Sequence, residues 1–422
     1  MRIVIINKSD ATGGASVVSF RLMEALRREG ADARMLVAEK LSDSPYVEKA
    51  ASSFSIMFHF LWERLRIFFA NGFNQATLFK IDTGLSGLPL WHHPLVKGAD
   101  AILLNWVNQG MLSLRGVARL SALGKPVIWT MHDMWCFTGV CHHAARCRHY
   151  RQECGECPLL GKKAAPHDLS HKVLRKKSSL YALLGADRLR FVAVSRWLQS
   201  KAAQSSLLAN REVTVIPNAF NLEGKCHERN PLDENATVRI LFGAARIDDP
   251  IKGVEVLKEM SAILKRDYPS LASRMEIVMF GEVKNPDSIV GFSLPVVLLG
   301  TLHGSEVRKA YESASILVSA SSYETLPGTL VEAQAFGCIP VSFSQGGQPD
   351  IVTHLSDGFL AEWHEQPQKA AEALAQGVVW ASGILADKEA YPQILVRMRE
   401  NVKNKFSYKN VASRYLNLIG NL

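Results

Sequence analysis

The amino-acid sequence predicts an α/β protein with two doubly wound parallel sheets, each forming a Rossmann-like domain. Short apolar β runs alternate with helical patterns along both halves of the chain, which is typical of parallel βαβ units. The chain has 422 residues, which is more than one hydrophobic core usually serves, so two domains are expected. Its 47% hydrophobic and 21% charged residues are typical of a folded globular protein.

The alternation assigns the elements in order along the chain. Helices are predicted over 16–29 and 112–123. The first domain is predicted to span 1–217, with a cysteine-rich insert at 136–157, and the second 218–405. A polar stretch at 223–237 is the expected linker. Predicted strands cover 2–7, 34–37, 101–104, 127–130, 191–194 and 214–216 in the first half, and 239–243, 276–280, 296–299, 316–319 and 339–342 in the second.

The formal net charge of +9 indicates attraction to anions. Nucleotide diphosphates, anionic lipid headgroups and nucleic acid are the candidates. No apolar run reaches the roughly 18 residues that span a bilayer, and the chain begins directly with a predicted strand. We therefore expect neither a signal peptide nor a transmembrane helix, and a cytoplasmic protein, with the inner face of the membrane as an open alternative.

Two glutamates, Glu324 and Glu332, flank a predicted helix start. Pro327 opens the turn, and the first helical turn leaves backbone N–H groups that favour a diphosphate. Carboxylates beside such an anion site can accept hydrogen bonds from sugar hydroxyls, which predicts a sugar-nucleotide site. Alternatively, Glu324 complements the helix dipole and Glu332 is a solvated helix residue. The donor-binding residues predicted here are Gly328, Thr329, Leu330 and Glu332.

A loop after the predicted strand at 239–243 carries two cations, Arg246 and Lys252. Breaking a bond between a sugar and a diphosphate leaves negative charge on phosphate oxygens, which fixed cations stabilise. The same cations can replace a divalent metal, and no Asp-x-Asp step at a strand end compels a metal site. No catalytic metal is therefore expected. The alternative is a pair of solvated surface residues.

Two loops of the first domain also follow predicted strands, where ligands of open α/β sheets bind. Gly13 and Gly14 follow the strand at 2–7, and paired glycines let a backbone approach a phosphate or sugar closely. The loop lacks G-x-G-x-x-G, which disfavours a nicotinamide cofactor, and a flexible turn is the alternative. His132 and Asp133 follow the strand at 127–130. A histidine can donate to a sugar hydroxyl, and a core histidine with a capping aspartate is the alternative.

The order of strand, Arg246, Lys252 and helix, followed by Glu324 and Glu332, resembles the retaining glycosyltransferases of the GT-B fold, in particular family 4. The resemblance covers nearly the whole chain and extends to bacterial transferases that assemble exopolysaccharides such as colanic acid. It implies two Rossmann-like domains facing a cleft. It also implies a terminal helix, over 406–422, that returns to the first domain.

The resemblance implies roles for single residues of the second domain. Glu332 would bind the nucleotide ribose, and Glu324 would bind a hydroxyl of the donor sugar. The amides near Gly328 and Thr329 would contact the distal phosphate. The leaving phosphate would itself accept the proton of the acceptor, so no dedicated enzyme base is required.

The resemblance also gives roles to two loops. His132 would contact the donor sugar. Asp133 would orient the His132 ring or approach the acceptor hydroxyl. The loop that carries Leu302 and His303 would pack against the base. Uracil is the commonest base in the family, so a UDP-linked donor is expected.

Five of the seven cysteines fall between positions 136 and 157. Disulfides are rare in a reducing compartment, so such a cluster favours a metal, and four thiolates suit a closed tetrahedral zinc site. A pair of disulfides or free thiols is the alternative, while Cys226 and Cys338 are interpreted as isolated thiols. The predicted zinc ligands are Cys141, Cys147, Cys154 and Cys157, with Cys136, His142, His143 and His149 in reserve.

Residues 54–69 combine aromatic side chains with cations, and residues 172–177 add positive charge. One interpretation is docking on an anionic membrane surface that holds a lipid-linked acceptor. The alternative is a helix buried against the first sheet.

The sequence therefore predicts a retaining glycosyltransferase that moves a hexose from a nucleotide-diphosphate sugar to a polysaccharide or lipid-linked glycan. No nucleic-acid partner is expected. Three alternatives stay open: a sugar-nucleotide epimerase on the same scaffold, a zinc-containing nucleic-acid-binding protein, and a catalytically silent sugar-binding module.

Overall fold

A computed structural model describes residues 1–222, 231–233 and 236–421, except for the side chains at 186 and 187. Cys226 and most of the predicted linker lie outside these residues. The chain divides into two compact units. One is formed by Met1–Asn221 with Tyr408–Leu422, and the other by Leu222–Ser407, whereas the sequence placed the boundaries at 217 and 405.

The first unit contains seven strands, which are β1 (Arg2–Ser9), β2 (Asp32–Glu39), β3 (Val47–Lys49), β4 (Ala101–Leu104), β5 (Val127–Met131), β6 (Arg190–Ala193) and β7 (Val213–Val215). All neighbouring pairs are parallel, and the order across the sheet is β3-β2-β1-β4-β5-β6-β7. Strands β1, β4 and β5 are buried along nearly their whole length, as expected for a parallel sheet covered on both faces.

The helices of the first unit include long α1, α2 and α5 and three shorter ones. The helix predicted at 16–29 forms α1, and the one predicted at 112–123 forms α4. The bounds are α1 (Gly14–Arg28), α2 (Ser53–Ala70), α3 (Pro94–Gly98), α4 (Leu114–Ser121), α5 (Leu169–Arg188) and α6 (Arg196–Ala203).

Within its described residues, the second unit contains six strands, which are β8 (Val238–Arg246), β9 (Met275–Glu282), β10 (Val296–Leu298), β11 (Ile316–Ser319), β12 (Ile339–Phe343) and β13 (Phe359–Ala361). They are parallel and lie in the order β10-β9-β8-β11-β12-β13. The helices are α7 (Val254–Asp267), α8 (Pro269–Ala272), α9 (Ser305–Ser313), α10 (Gly328–Phe336), α11 (Gln348–Ile351), α12 (Pro367–Ala386) and α13 (Ala390–Phe406).

The last helix, α14 (Tyr408–Gly420), belongs to the first unit. Its apolar side chains share a core cluster with those of α1, including Leu22 and Leu26. The hydroxyl of Tyr415 lies 2.9 Å from Thr130 Oγ1 of β5, and the hydroxyl of Tyr408 donates to Glu24 of α1 at 2.7 Å. These contacts complete one side of the first unit.

Among the described residues, no helix combines the length and the apolar composition needed to cross a bilayer.

Candidate functional site

The second sheet has a switch point between β8 and β11. From β8 the sheet continues to β9 on one side, and from β11 it continues to β12 on the other. Ligands of open α/β sheets bind at the carboxyl ends of the strands beside such a point. The loop after β8 carries Lys252, and the loop after β11 carries Glu324. The fold therefore brings two of the predicted site loops together.

The loop after β8 is shaped by short local contacts. Asp249 accepts a hydrogen bond from the Ile251 amide at 3.1 Å, and the Lys252 amide donates to the Asp249 carbonyl at 2.8 Å. Gly253 ends the turn at φ 75°, and a Cβ there would lie only 2.1 Å from the carbonyl oxygen of Ala320. Only glycine lets the two loops approach this closely.

Lys252 and Glu324 form an ion pair between these loops, with 2.5 Å between Nζ and Oε1. Ser321 Oγ donates to the same carboxylate oxygen at 3.1 Å. The two charged side chains keep 27% and 24% of their surface exposed, so a ligand can reach both. The Glu324 carbonyl also accepts from the Gly347 amide at 2.7 Å, which fixes the loop backbone.

Helix α10 begins directly after this loop. Pro327 occupies its N-cap and no side chain caps the helix, so side chains leave the first-turn amides uncovered. Gly328 and Thr329 are partly exposed there, whereas the side chain of Leu330 is buried in the core and its amide donates to the Pro327 carbonyl at 3.2 Å. Glu332 lies within α10 and is half-buried.

Arg246 is the last residue of β8. Its Nε lies 3.3 Å from Asp248 Oδ1, and the side chain is 40% exposed. The carboxylate of Asp248 also accepts from the amides of Lys284 and Asn285, at 3.3 and 3.1 Å. Arg246 is therefore a second cation at the carboxyl end of β8, held by a different partner from Lys252.

Leu302 and His303 lie after β10, and β10 is separated from β8 by β9. His303 is exposed, and its amide donates to the carboxylate of Glu306 at 3.1 Å, which closes the start of α9. Leu302 is half-buried. The predicted base-binding loop thus lies at the same edge of the sheet as Lys252, two strands away.

In the first unit, Gly13 is the N-cap of α1 and Gly14 is its first residue. Gly13 adopts φ 84°, and a Cβ on either glycine would meet no atom within 4 Å. No side chain caps this helix. The loop therefore leaves open space beside both glycines, and the predicted approach of a phosphate or sugar stays a prediction.

His132 follows β5, and its Nε2 is buried without a hydrogen-bond partner among the residues that the structure describes. Burial lowers the pKa of His132 to about 4, although the charge of Asp133 acts in the opposite direction. The ring is therefore neutral at ordinary pH and can either donate or accept through Nε2, according to its tautomer.

The carboxylate of Asp133 forms its hydrogen bonds with residues other than His132. Its carboxylate accepts from Trp106 Nε1 at 2.9 Å, from the Trp135 amide at 2.8 Å and from His142 Nδ1 at 2.7 Å. Burial alone would raise the pKa of Asp133, but these partners hold it well below its usual range. The structure thus directs this carboxylate toward His142, whereas the sequence suggested that it orients His132 or approaches the acceptor hydroxyl.

His142 bridges two carboxylates. Its Nδ1 faces Asp133, and its Nε2 lies 2.8 Å from Asp82 Oδ2. Burial acts to lower the pKa of His142, but the two carboxylates raise it to about 10. The ring is therefore protonated and donates from both nitrogens. Asp82 also accepts from Arg64 of α2 and from the Gln109 amide at 3.2 Å, so the network reaches from α2 to the loop after β5.

The family comparison decides the nature of the second unit. Residues 238–378 match the family model described as glycosyl transferases group 1. That stretch includes both loops of the β8/β11 switch point and all of α10. The second unit contains a group 1 glycosyltransferase domain.

Curated relatives extend the likeness of the glycosyltransferase domain to the rest of the chain. The uncharacterized glycosyltransferase MJ1607 of Methanocaldococcus jannaschii is 29% identical over 54% of this chain and 58% of its own length. The chain therefore spans less than two thirds of that relative. The putative colanic acid biosynthesis glycosyl transferase WcaC of Escherichia coli K12 is 24% identical over 85% of this chain and 86% of its own length.

Solved structures confirm the predicted GT-B fold of this chain. The match to the structure of Anabaena Alr3699/HepE in complex with UDP covers 100% of both chains, with a TM-score of 0.60 and 14% identity. At this level of identity the likeness concerns the fold. The assignment to family 4 and the retaining mechanism stay predictions.

The cysteine-rich insert lines a small cavity of about 20 Å³, room for one small ion or water molecule. All four predicted zinc ligands line it, together with His149, and all four are free cysteines. Their chemistry suits zinc. As the side chains stand, however, no group of three or more His, Cys, Asp or Glu among the described residues is placed to hold a metal ion. Zinc therefore stays a prediction.

Three residues of the network at β5 were missed by the sequence reasoning. Trp106 follows β4 and lies at the carboxyl edge of the sheet, so the search for loops after strands could have found it. His142 was considered only as a reserve metal ligand. Asp82 lies between α2 and α3 in a stretch without regular periodicity, and no local signal marks it.

Proposed function

We propose that the chain transfers a hexose from a UDP-linked sugar to a polysaccharide or lipid-linked glycan, with retention of the anomeric configuration. The observation that carries the proposal is the Lys252–Glu324 ion pair at the β8/β11 switch point, beside an α10 start without a side-chain cap. A cation, a carboxylate and helix amides are the groups that a sugar diphosphate requires in one place.

The ion pair provides complementary groups for the two halves of the donor. A bound diphosphate would attract the ammonium of Lys252 and the first amides of α10. Glu324 would then be released to accept hydrogen bonds from a sugar hydroxyl, with Ser321 Oγ still donating to it. Arg246, at the end of β8, would add charge on the phosphate side.

The reaction breaks the bond between the anomeric carbon and a phosphate oxygen and forms a bond from that carbon to the acceptor oxygen. Lys252 and Arg246 would stabilise the charge that develops on the leaving diphosphate. These cations can supply what a divalent metal supplies elsewhere, so we propose a metal-independent reaction.

We propose that the acceptor proton passes to the leaving phosphate. Asp133 is a poor candidate for this proton. Three hydrogen bonds hold its carboxylate, and, against the effect of burial, the charge and hydrogen bond of His142 and the Trp135 amide keep its pKa low. His132 offers a buried Nε2 without a protein partner, and we propose that it contacts a sugar hydroxyl.

Two likenesses support the choice of substrates. The fold relative HepE has been solved with UDP and with UDP-glucose, which favours a UDP-linked hexose here. The relative named for colanic acid biosynthesis covers most of this chain, which favours a glycan acceptor. Glu332 would bind the ribose, by resemblance to the family.

Calorimetric titration with UDP and with GDP in the presence of EDTA tests the proposal. We expect wild type to bind UDP more tightly than GDP, and Glu332→Ala and Arg246→Ala to bind UDP at least about tenfold more weakly, the loss of one charge-assisted hydrogen bond. Failure of wild type to bind either nucleotide would contradict the proposal, and so would binding that depends on a divalent metal.

A further inference from the structure

Helix α2 turns its apolar side chains outward. Seven large hydrophobic residues of this helix are at least 45% exposed, and Phe54 reaches 83%. All seven lie at helical spacing on one face and so form one stripe along a helix about 27 Å long. We call this set the α2 stripe, and its members are Phe54, Met57, Phe58, Leu61, Trp62, Leu65 and Phe69.

The inward face of α2 fixes this orientation with charged residues. Glu63 Oε1 accepts from the amide and hydroxyl of Thr83 at 2.6 and 2.7 Å, and from the Gly84 amide at 3.0 Å. Arg64 donates to the Leu78 carbonyl at 2.6 Å and pairs with Asp82. Turning the helix to bury the stripe would break all of these buried contacts. The helix predicted as buried against the first sheet therefore buries only its face with Glu63, Arg64 and Ile67, and its large exposed side chains lie on the other face.

The α2 stripe continues beyond the helix. Phe73 and Phe79 are each 57% exposed, and the ring of Phe73 lies 5.1 Å from that of Phe68 and 5.4 Å from that of Phe69. Contiguous exposed apolar surface of this extent is uncommon on soluble proteins and marks an interaction site.

Exposed cations surround the α2 stripe. Lys49 donates to Ser53 Oγ at 2.8 Å where α2 begins, and Arg66 lies 5.9 Å from the ring of Trp62. At the far end, Lys80 follows Phe79, and the side chain of Lys163 lies beside Gly72. The single acid within α2 is the buried Glu63. We call these four cations, Lys49, Arg66, Lys80 and Lys163, the basic rim.

We propose that α2 docks on an anionic lipid bilayer, with the α2 stripe at the acyl boundary and the basic rim on headgroup phosphates. A convex helix with aromatic and aliphatic side chains on one face and cations at its borders suits a membrane surface. A protein partner would be expected at a groove or a flatter surface with polar groups to pair. This inference stands apart from the donor site of the second unit.

The inner face of α2 also connects the docking surface to the loop after β5. Arg64 pairs with Asp82, Asp82 with His142, and His142 with Asp133. A chain of side-chain contacts therefore runs from α2 to the loop that carries His132. A lipid-linked acceptor held at the bilayer would therefore lie on the side of the first unit that carries this loop.

Flotation of the full chain with vesicles tests the proposal. Vesicles of phosphatidylglycerol and phosphatidylethanolamine are compared with vesicles of phosphatidylcholine. We expect binding to the anionic vesicles, weakened by added salt because the basic rim is screened. A Phe54→Ser, Phe58→Ser, Leu61→Ser variant should bind at least about a hundredfold more weakly, because three exposed apolar side chains are lost.

Leu183→Ser is the matched control, since Leu183 is 73% exposed on α5, outside the α2 stripe. It should bind vesicles as wild type does. Unchanged UDP binding and thermal unfolding would show that the triple variant is folded. UDP binding does not report on membrane docking, which is tested only by the vesicle result. Equal vesicle binding by wild type and the triple variant would overturn the proposal. So would a lipid-free dimer of wild type that the triple variant cannot form, because the stripe would then be covered by a second copy.

Discussion

The change Lys252→Ala separates a role in donor binding from a role in stability. The ion pair it removes is short, at 2.5 Å, but both partners are about a quarter exposed. Ion pairs with this solvent access contribute about 0–1 kcal/mol. The variant should therefore unfold within a few degrees of wild type, since about 1 kcal/mol shifts the melting temperature by only about 2–4 °C in a large domain.

Donor affinity should respond far more strongly to the same change. A charge-assisted hydrogen bond to a phosphate oxygen contributes about 1.5–3 kcal/mol, because the ammonium donates to an ionised acceptor. UDP should therefore bind roughly 10- to 150-fold more weakly to Lys252→Ala. Calorimetric titration measures the affinity, and differential scanning calorimetry measures the melting temperature.

Arg239→Ala is the matched control for this experiment. Arg239 pairs with Glu276 at the same 2.5 Å, with the arginine side chain 47% and the glutamate 21% exposed, and it lies at the amino end of β8, away from the switch point. It should lose a similar amount of stability and keep its UDP affinity. If Lys252→Ala bound UDP as tightly as wild type, or if Arg239→Ala lost as much affinity, the reasoning from the switch point would be refuted.

Three further outcomes are expected. Gly253→Ala should lower both the melting temperature and UDP affinity, because its Cβ would clash with the neighbouring loop, whereas Gly291→Ala, also at positive φ but in open surroundings, should leave UDP affinity unchanged. The free energy of unfolding of wild type should fall as pH falls from about 6.5 to about 4, because the unfolded chain protonates His132 in this range and the folded chain does not. Chemical denaturation of His132→Gln should show a shallower fall of this free energy. An equally steep fall would contradict the low pKa of His132. Elemental analysis should find one zinc per chain, absent from a Cys154→Ser, Cys157→Ser variant; zinc-free protein from zinc-supplemented cells would contradict the prediction.

The sequence predicted the framework of both sheets because buried parallel strands give continuous apolar runs between turn residues. The edge strands β3 and β13 escaped prediction, although β7 and β10, which also have three residues, did not. The orientation of α2 was also beyond local reasoning. Its periodicity identifies two faces, but only the tertiary partners of Glu63 and Arg64 decide which face is buried.

The candidate site shows the same division. The sequence could place Lys252 and Glu324 at one edge of the sheet, because both follow strands. The strand order then makes their loops neighbours. The link from Asp133 through His142 to Asp82 could not be foreseen. His142 reaches Asp133 from within the cysteine-rich insert, and Asp82 reaches His142 from a loop far earlier in the chain. Hydrogen bonds between irregular segments leave no periodic trace in a sequence.

The return of α14 to the first unit has a consequence for biosynthesis. The apolar face of α1 is covered by residues such as Val411 and Ile419, which leave the ribosome after the whole of the second unit. Until then the nascent first unit exposes that face and is a natural client for chaperones. A recombinant fragment that ends at residue 221 would keep this defect permanently, so it should aggregate unless the terminal helix is supplied as a separate peptide.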